Sequence, residues 1–286
     1  IVQCEWPHNW PSFVTDIVNS AKNSESVCIS NMQILLLLSE EVFDYGKDQM
    51  TLDKITKLKV QLNSDFQHIF DLCTFVLTKS KNSMLLTTTL RALLRFLRWI
   101  PLEFILNTQL IQTLALQFFP EQQYRSHTIQ CLNEIACLEY SEKFGTKYDG
   151  LYTSMLTAVL EHVYSKIIPE DVDLNQLFQR SPDRQRQFFT FLTGFVTNFI
   201  SKHLSILEQN PAAHQILTSA LALIIRLSLI EDAPAIFTMC LEFWNGFLKD
   251  VYRTEQSNVG GIQLTSNSQF GQGFNQTLNL NVGNFG

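Results

Sequence analysis

Chemistry on a helical chain needs histidines one turn apart, thiolates in close pairs, or carboxylates stacked on one face, because only such spacings converge lone pairs or charges on one point. The six histidines, at 8, 68, 127, 162, 203 and 214, are scattered, and the closest two stand 11 positions apart. Their spacing builds no zinc site. The cysteines at 4, 28, 73, 131, 137 and 240 form no CxxC pair. Cys131 and Cys137 fall on different faces of one expected helix, so neither activates the other, and all six read as small reduced thiols. Glu170, Asp171 and Asp173 make the densest acidic cluster. Carboxylates one turn apart could hold Mg²⁺, but these follow Pro169 in an expected interhelical loop, where they read as a solvated loop or a helix cap. No glycine-rich phosphate loop and no GxSxG elbow occurs. No catalytic residue, metal ligand or cofactor site is expected, and the chain does not read as an enzyme.

Recognition is better provided for than catalysis. Trp6 and Trp10 stand four apart, each followed by proline, with Phe13 close behind. They set three large apolar groups at the opening of the first helix, either packed against a neighbouring unit or open for docking. Glu40, Glu41 and Asp44 stand together on what reads as the second helix. Carboxylates stacked along the second helices of a helical-repeat array would offer a basic partner an acidic concave face, and these three are the candidate partner-binding residues.

The elements that position these groups follow from composition and period. Hydrophobic residues make up 45% of the 286-residue chain, enough for a continuous core. Of the 11 glycines, six fall after residue 256, which leaves too few elsewhere for a turn-rich β fold. The net charge of −6 attracts no phosphate backbone, so direct nucleic-acid binding is not expected. No apolar run approaches the ~20 residues of a membrane span. The chain opens on Ile1 with no signal-peptide pattern, and it reads as a fragment.

Ile55, Leu58, Leu62, Phe66, Ile69, Cys73 and Val76 recur by three or four, as do Leu86, Leu90, Leu93, Leu97 and Ile100 before Pro101. Each set winds an apolar stripe down a helix. The pairing predicts helical hairpins of a helix starting around Trp6 to Ser12 and running to about 21 with 31–43, then at about 51–79 with 84–100, 108–118 with 123–138, 149–167 with 183–208, and 213–230 with 234–253, punctuated by prolines. The expected fold class is all-α: an α-α superhelix of about five antiparallel hairpins, with the ~40–50-residue period of armadillo and HEAT repeats. Periodicity alone leaves a compact helical bundle open. Residues 257–286 carry no charge, six glycines and six asparagines, and are expected to form a disordered tail or insertion distinct from the repeat region 1–256. Within that tail, Leu278, Leu280 and Val282 alternate as a short strand would.

Five ordered motifs narrow the reading further. EWPHNWPSFVTDIV (5–18), SEEVFD (39–44), LLRFLRWIPLEFI (93–105), CLNEIA (131–136) and CLEFWN (240–245) resemble, in order and spacing, the exportin-1 family of nuclear export receptors, over nearly all of residues 1–253. The resemblance implies a HEAT-repeat solenoid of the importin-β superfamily. It also implies partners: leucine-rich export-signal cargo, the GTPase Ran in its GTP form, and nuclear-pore proteins, with shuttling between nucleus and cytoplasm. By the same resemblance the main Ran-gripping repeats lie before Ile1. The acidic loop, signal groove and reactive cysteine lie beyond Gly286, so none of the six cysteines inherits that role. This stretch is then a structural spacer, and the tail from Ser257 departs from the family pattern. Another helical-repeat transport receptor or scaffold is the alternative, and an unrecognised α-helical enzyme the third reading.

Overall fold

Proline and short polar caps set most helix boundaries in this chain. The computed structural model describes residues 10–40 and 52–259. Its helices are α1 (Phe13–Ser20), α2 (Glu25–Glu40), α3 (Leu52–Lys79), α4 (Ser83–Phe96), α5 (Leu102–Leu106), α6 (Leu110–Thr113), α7 (Gln122–Ala136), α8 (Ser141–Phe144), α9 (Asp149–His162), α10 (Leu174–Arg180), α11 (Asp183–Gln209), α12 (Pro211–Ser228) and α13 (Pro234–Val259). No strand occurs among the described residues. The chain divides into two compact units, Ile1–Gly145 and Thr146–Gly286. Gly145 ends the first with φ of +56°, a left-handed position that costs glycine nothing.

In the first unit α1 pairs with α2, α3 with α4, and the α6 segment with α7, while α2, α4 and α7 pack side by side as a layer of second helices. In the second, α9 and α11 make one hairpin and α12 and α13 the next, with α9 against α12 and α11 against α13. Five antiparallel hairpins therefore stack within their units, which is the α-α superhelix arrangement of HEAT-type repeats. The apolar stripes point inward as their period requires: Phe66, Ile69, Cys73 and Val76 of α3, and Leu86, Leu90 and Leu93 of α4, are all buried.

Several boundaries differ from expectation for local reasons. Helix α2 begins at Glu25, six residues before the expected start, because Ser24 accepts from the Val27 amide through its hydroxyl and opens the helix. Helix α4 stops at Phe96, before the expected proline boundary, and Leu97 to Ile100 turn into the short α5. Two first helices widen before a proline. Phe119 donates to the Leu114 carbonyl at 2.9 Å and Ile168 to that of Val163 at 2.8 Å, five residues back, so Leu114–Phe118 and Val163–Ile167 are π-helical turns. Pro120 and Pro169 follow; Ile168, before Pro169, leaves the α conformation at φ −134° and ψ 66°, whereas Phe119, before Pro120, keeps it. Helix α13 continues to Val259, three residues past the expected repeat boundary, and residues 260–286 lie outside the described residues.

Candidate partner-binding layer of the second helices

The three second helices of the first unit pack side by side, and polar contacts join α2 to α4 at their starts and α4 to α7 at both ends. Glu25, opening α2, accepts from the Ser80 hydroxyl at 3.0 Å and the Asn82 amide at 3.1 Å. Asn82 also caps α4, its side-chain oxygen accepting from the amides of Met84 and Leu85. Ser83 in turn donates to Gln123 of α7 at 3.0 Å. At the other end Arg98 forms a two-pronged ion pair with Glu134 of α7, its Nη2 lying 2.7 Å from Oε1. Start meets start and end meets end.

The candidate carboxylates sit at the far end of this layer. Glu40 closes α2 and is half-buried, while Glu41 and Asp44 lie outside the described residues. Helix α4 does not extend the acidic face, because it contains no Asp or Glu. It carries Arg91, exposed, and Arg95, half-buried, with Arg98 a turn further on. Spacings of four and three align the guanidinium groups along one side of α4. The layer thus mixes charge signs. This arginine row went unnoticed in the sequence reading, although carrying the Glu40 face onto the next second helix, RALLRFLR, would have exposed it.

Trp6 lies outside the described residues. Trp10 is exposed, meets the buried Phe13 edge-on at 5.0 Å, and donates its indole N–H to Asp16 at 2.8 Å. That bond, with a second from Ser12, lowers the Asp16 pKa below its ordinary value. The acidic loop cluster supplies a cap, Asp173 accepting from the amides of Asn175 and Gln176 at the start of α10.

Four of the described thiols are positioned to stay protonated. Cys28, Cys73, Cys131 and Cys240 are buried. Burial pushes Cys73 up to about 12 and Cys240 up to about 11, and raises Cys28 and Cys131 as well. A thiol so far from ionising is no nucleophile at neutral pH. Buried His203 packs its ring against Tyr152 at 4.6 Å and Phe199 at 5.1 Å. His214 instead meets the Glu208 carbonyl at 2.8 Å. Among the described residues no group of three or more His, Cys, Asp or Glu is arranged to hold a metal ion, and no helix is long and apolar enough to cross a membrane.

Known proteins align along most of this chain. The family described as "Exportin 1-like protein" matches residues 1–132. "Protein EXPORTIN 1B" of Arabidopsis thaliana is 39% identical over 254 residues, covering 89% of this chain and 23% of its own length. "Exportin-1" of Drosophila melanogaster is 37% identical over 258 residues, with the same two coverages. "Exportin-1" of Schizosaccharomyces pombe is 36% identical over 256 residues, covering 90% of this chain and 23% of itself. The chain therefore spans less than a quarter of the length of these relatives.

Proposed function

The chain belongs to the exportin-1-like family, and on that premise we propose that it serves as a helical-repeat segment of a nuclear export receptor, holding flanking repeats in place rather than performing catalysis. The observation that carries this reading is 36–39% identity to proteins named exportin-1 along nine-tenths of the chain. A mechanical role fits the layer of second helices, in which Glu25 ties the start of α2 to Asn82 and Ser83 and Arg98 tie both ends of α4 to α7. The complete receptor in this reading carries leucine-rich-signal cargo with Ran-GTP, meets nuclear-pore proteins and shuttles between nucleus and cytoplasm. Glu40, Glu41 and Asp44 are the residues it assigns to a basic partner.

Two measurements test it. A fluorescent leucine-rich export peptide titrated into the chain, with and without Ran-GTP, is expected to show no saturable binding, since a spacer lacks the groove. Micromolar or tighter binding would overturn the spacer role. Exchanging the matched segment of the fission-yeast relative for residues 10–259 is expected to preserve export of a signal-bearing reporter. Lost export from a chimaera whose helical spectrum is intact would overturn the family role.

A further inference from the structure

Ser181 stands at the join of α10 and α11 and closes the first of them. Its amide donates to the Phe178 carbonyl at 3.2 Å and its hydroxyl to that of Leu177 at 2.7 Å, so both its donors hold the last turn of α10. The side chain is buried there, but the residues that follow, Pro182, Asp183 and Arg184, are exposed. Ser181 and Pro182 are both extended, at ψ of 138° and 158°. Of the eight prolines in the chain only Pro182 follows a serine or threonine, and Arg184 comes three positions after Ser181. Ser-Pro-x-Arg is a substrate pattern with a physical basis. Proline has no N–H, so an enzyme cleft that offers the residue after the serine no acceptor selects it, and acidic groups further along the cleft select the basic side chain.

We propose that Ser181 is a phosphorylation site for a proline-directed protein kinase, and that the phosphate releases α10. The γ-phosphoryl group of ATP passes to Ser181 Oγ: the bond from Pγ to the ADP oxygen breaks, an Oγ–P bond forms, and the hydroxyl proton goes to the kinase's carboxylate base. The hydroxyl is reached when α10 opens, and a helix of seven residues is too short to hold itself. Once modified, Ser181 no longer donates to the Leu177 carbonyl, and its charge sits against the carbonyl end of α10. Arg186 is placed to hold the phosphate outside the helix. Its Nε already donates to the Ser181 carbonyl at 2.8 Å and its guanidinium lies over the Phe178 ring, while its ion pair with exposed Asp183 is long, at 4.0 Å. Asn175 leaves with α10. Its side-chain oxygen accepts from the Glu231 amide at 2.7 Å, so losing it frees the turn between α12 and α13 from the hairpin before it. The modification thus loosens one repeat against the next.

Incubating the full chain with a cyclin-dependent kinase and Mg-ATP tests this, with a peptide of residues 176–187 run beside it. Mass spectrometry is expected to find one phosphate per chain, on Ser181, and none on Ser181→Ala. Arg184→Ala is expected to slow the transfer several-fold. Asp173→Ala removes the cap that opens α10, and the rate is expected to rise about five-fold, the equilibrium factor of one lost cap. Amide exchange over residues 174–180 is expected to quicken in the phosphorylated chain. No phosphate on Ser181 of the chain, whether or not the peptide is modified, would overturn the site. A rate indifferent to Asp173→Ala, or a phosphorylated chain whose α10 exchanges as before, would overturn the release of α10.

Discussion

Both units bury aromatic rings between helices, Phe66 against Phe96 and Phe70 against Phe104 in the first, where Arg125 also donates to the Phe119 and Pro120 carbonyls, and they differ in what is added to that core. In the first, hydrogen bonds and ion pairs run across the surface between second helices: Glu25 to Ser80 and Asn82, Ser83 to Gln123, Arg98 to Glu134, with Lys143 tied to Glu103 beside them. In the second, further aromatic rings interlock inside. Tyr152 of α9 meets Phe199 and His203 of α11, Phe178 of α10 meets Phe189, and Phe243, Trp244 and Phe247 cluster on α13. Its turns are held by an arginine as well: Arg226 of α12 donates to the carbonyls of Ile168, Pro169 and Val172. Surface pairs fix register at little energetic gain, while buried rings and arginine-carbonyl staples carry the stability. The aromatic core also accommodates a bend, because His203 leaves the helical conformation in mid-α11, at φ −126° and ψ 24°, with its ring packed on Tyr152 and Phe199.

The sharpest test of this contrast is Phe199→Ala. The ring is fully buried at the centre of the aromatic cluster, so its loss is expected to cost about 3–5 kcal/mol, read as a lowered urea midpoint for the second unit. A change below about 1 kcal/mol would show that the cluster is loosely packed.

Arg226→Met comes next. Three backbone carbonyls lose their donor while the aliphatic stem is kept, and a loss of about 2–3 kcal/mol is expected by the same measurement. Hydrogen exchange should rise locally between residues 168 and 172. Unchanged protection there would mean that water replaces the guanidinium without cost.

The smallest effect is expected in the first unit. The Lys143 ammonium beside Glu103 lowers that carboxyl below its ordinary 4.5. A depressed acid contributes stability that is present above the unfolded value and lost as pH falls through the folded one. Glu103→Gln should therefore leave the melting temperature at pH 7 nearly unchanged and flatten its fall below about pH 4.5. Added salt should erase the remaining difference, as it does for exposed pairs. A large loss at pH 7 would show that the surface ties stabilise as strongly as the rings.

The sequence by itself determined that this is a chain of paired helices, because a three-to-four-residue apolar period and a proline between segments are local properties that tertiary context had no reason to override. Leu86, Leu90 and Leu93 are buried as their spacing demands, and the five motifs that resemble the exportin-1 family run along most of the chain that its relatives also match. The candidate face was legible only in part. Glu40 falls on a second helix as expected, but the charges beside it come from α4, and which second helices lie together is decided by packing between segments some 50 positions apart. Only the tertiary structure could show that Glu25 meets Asn82, that Arg226 reaches three carbonyls near Pro169, or that His203 interrupts its helix. Each of these depends on where a partner distant in sequence comes to rest, and periodicity carries no information about that.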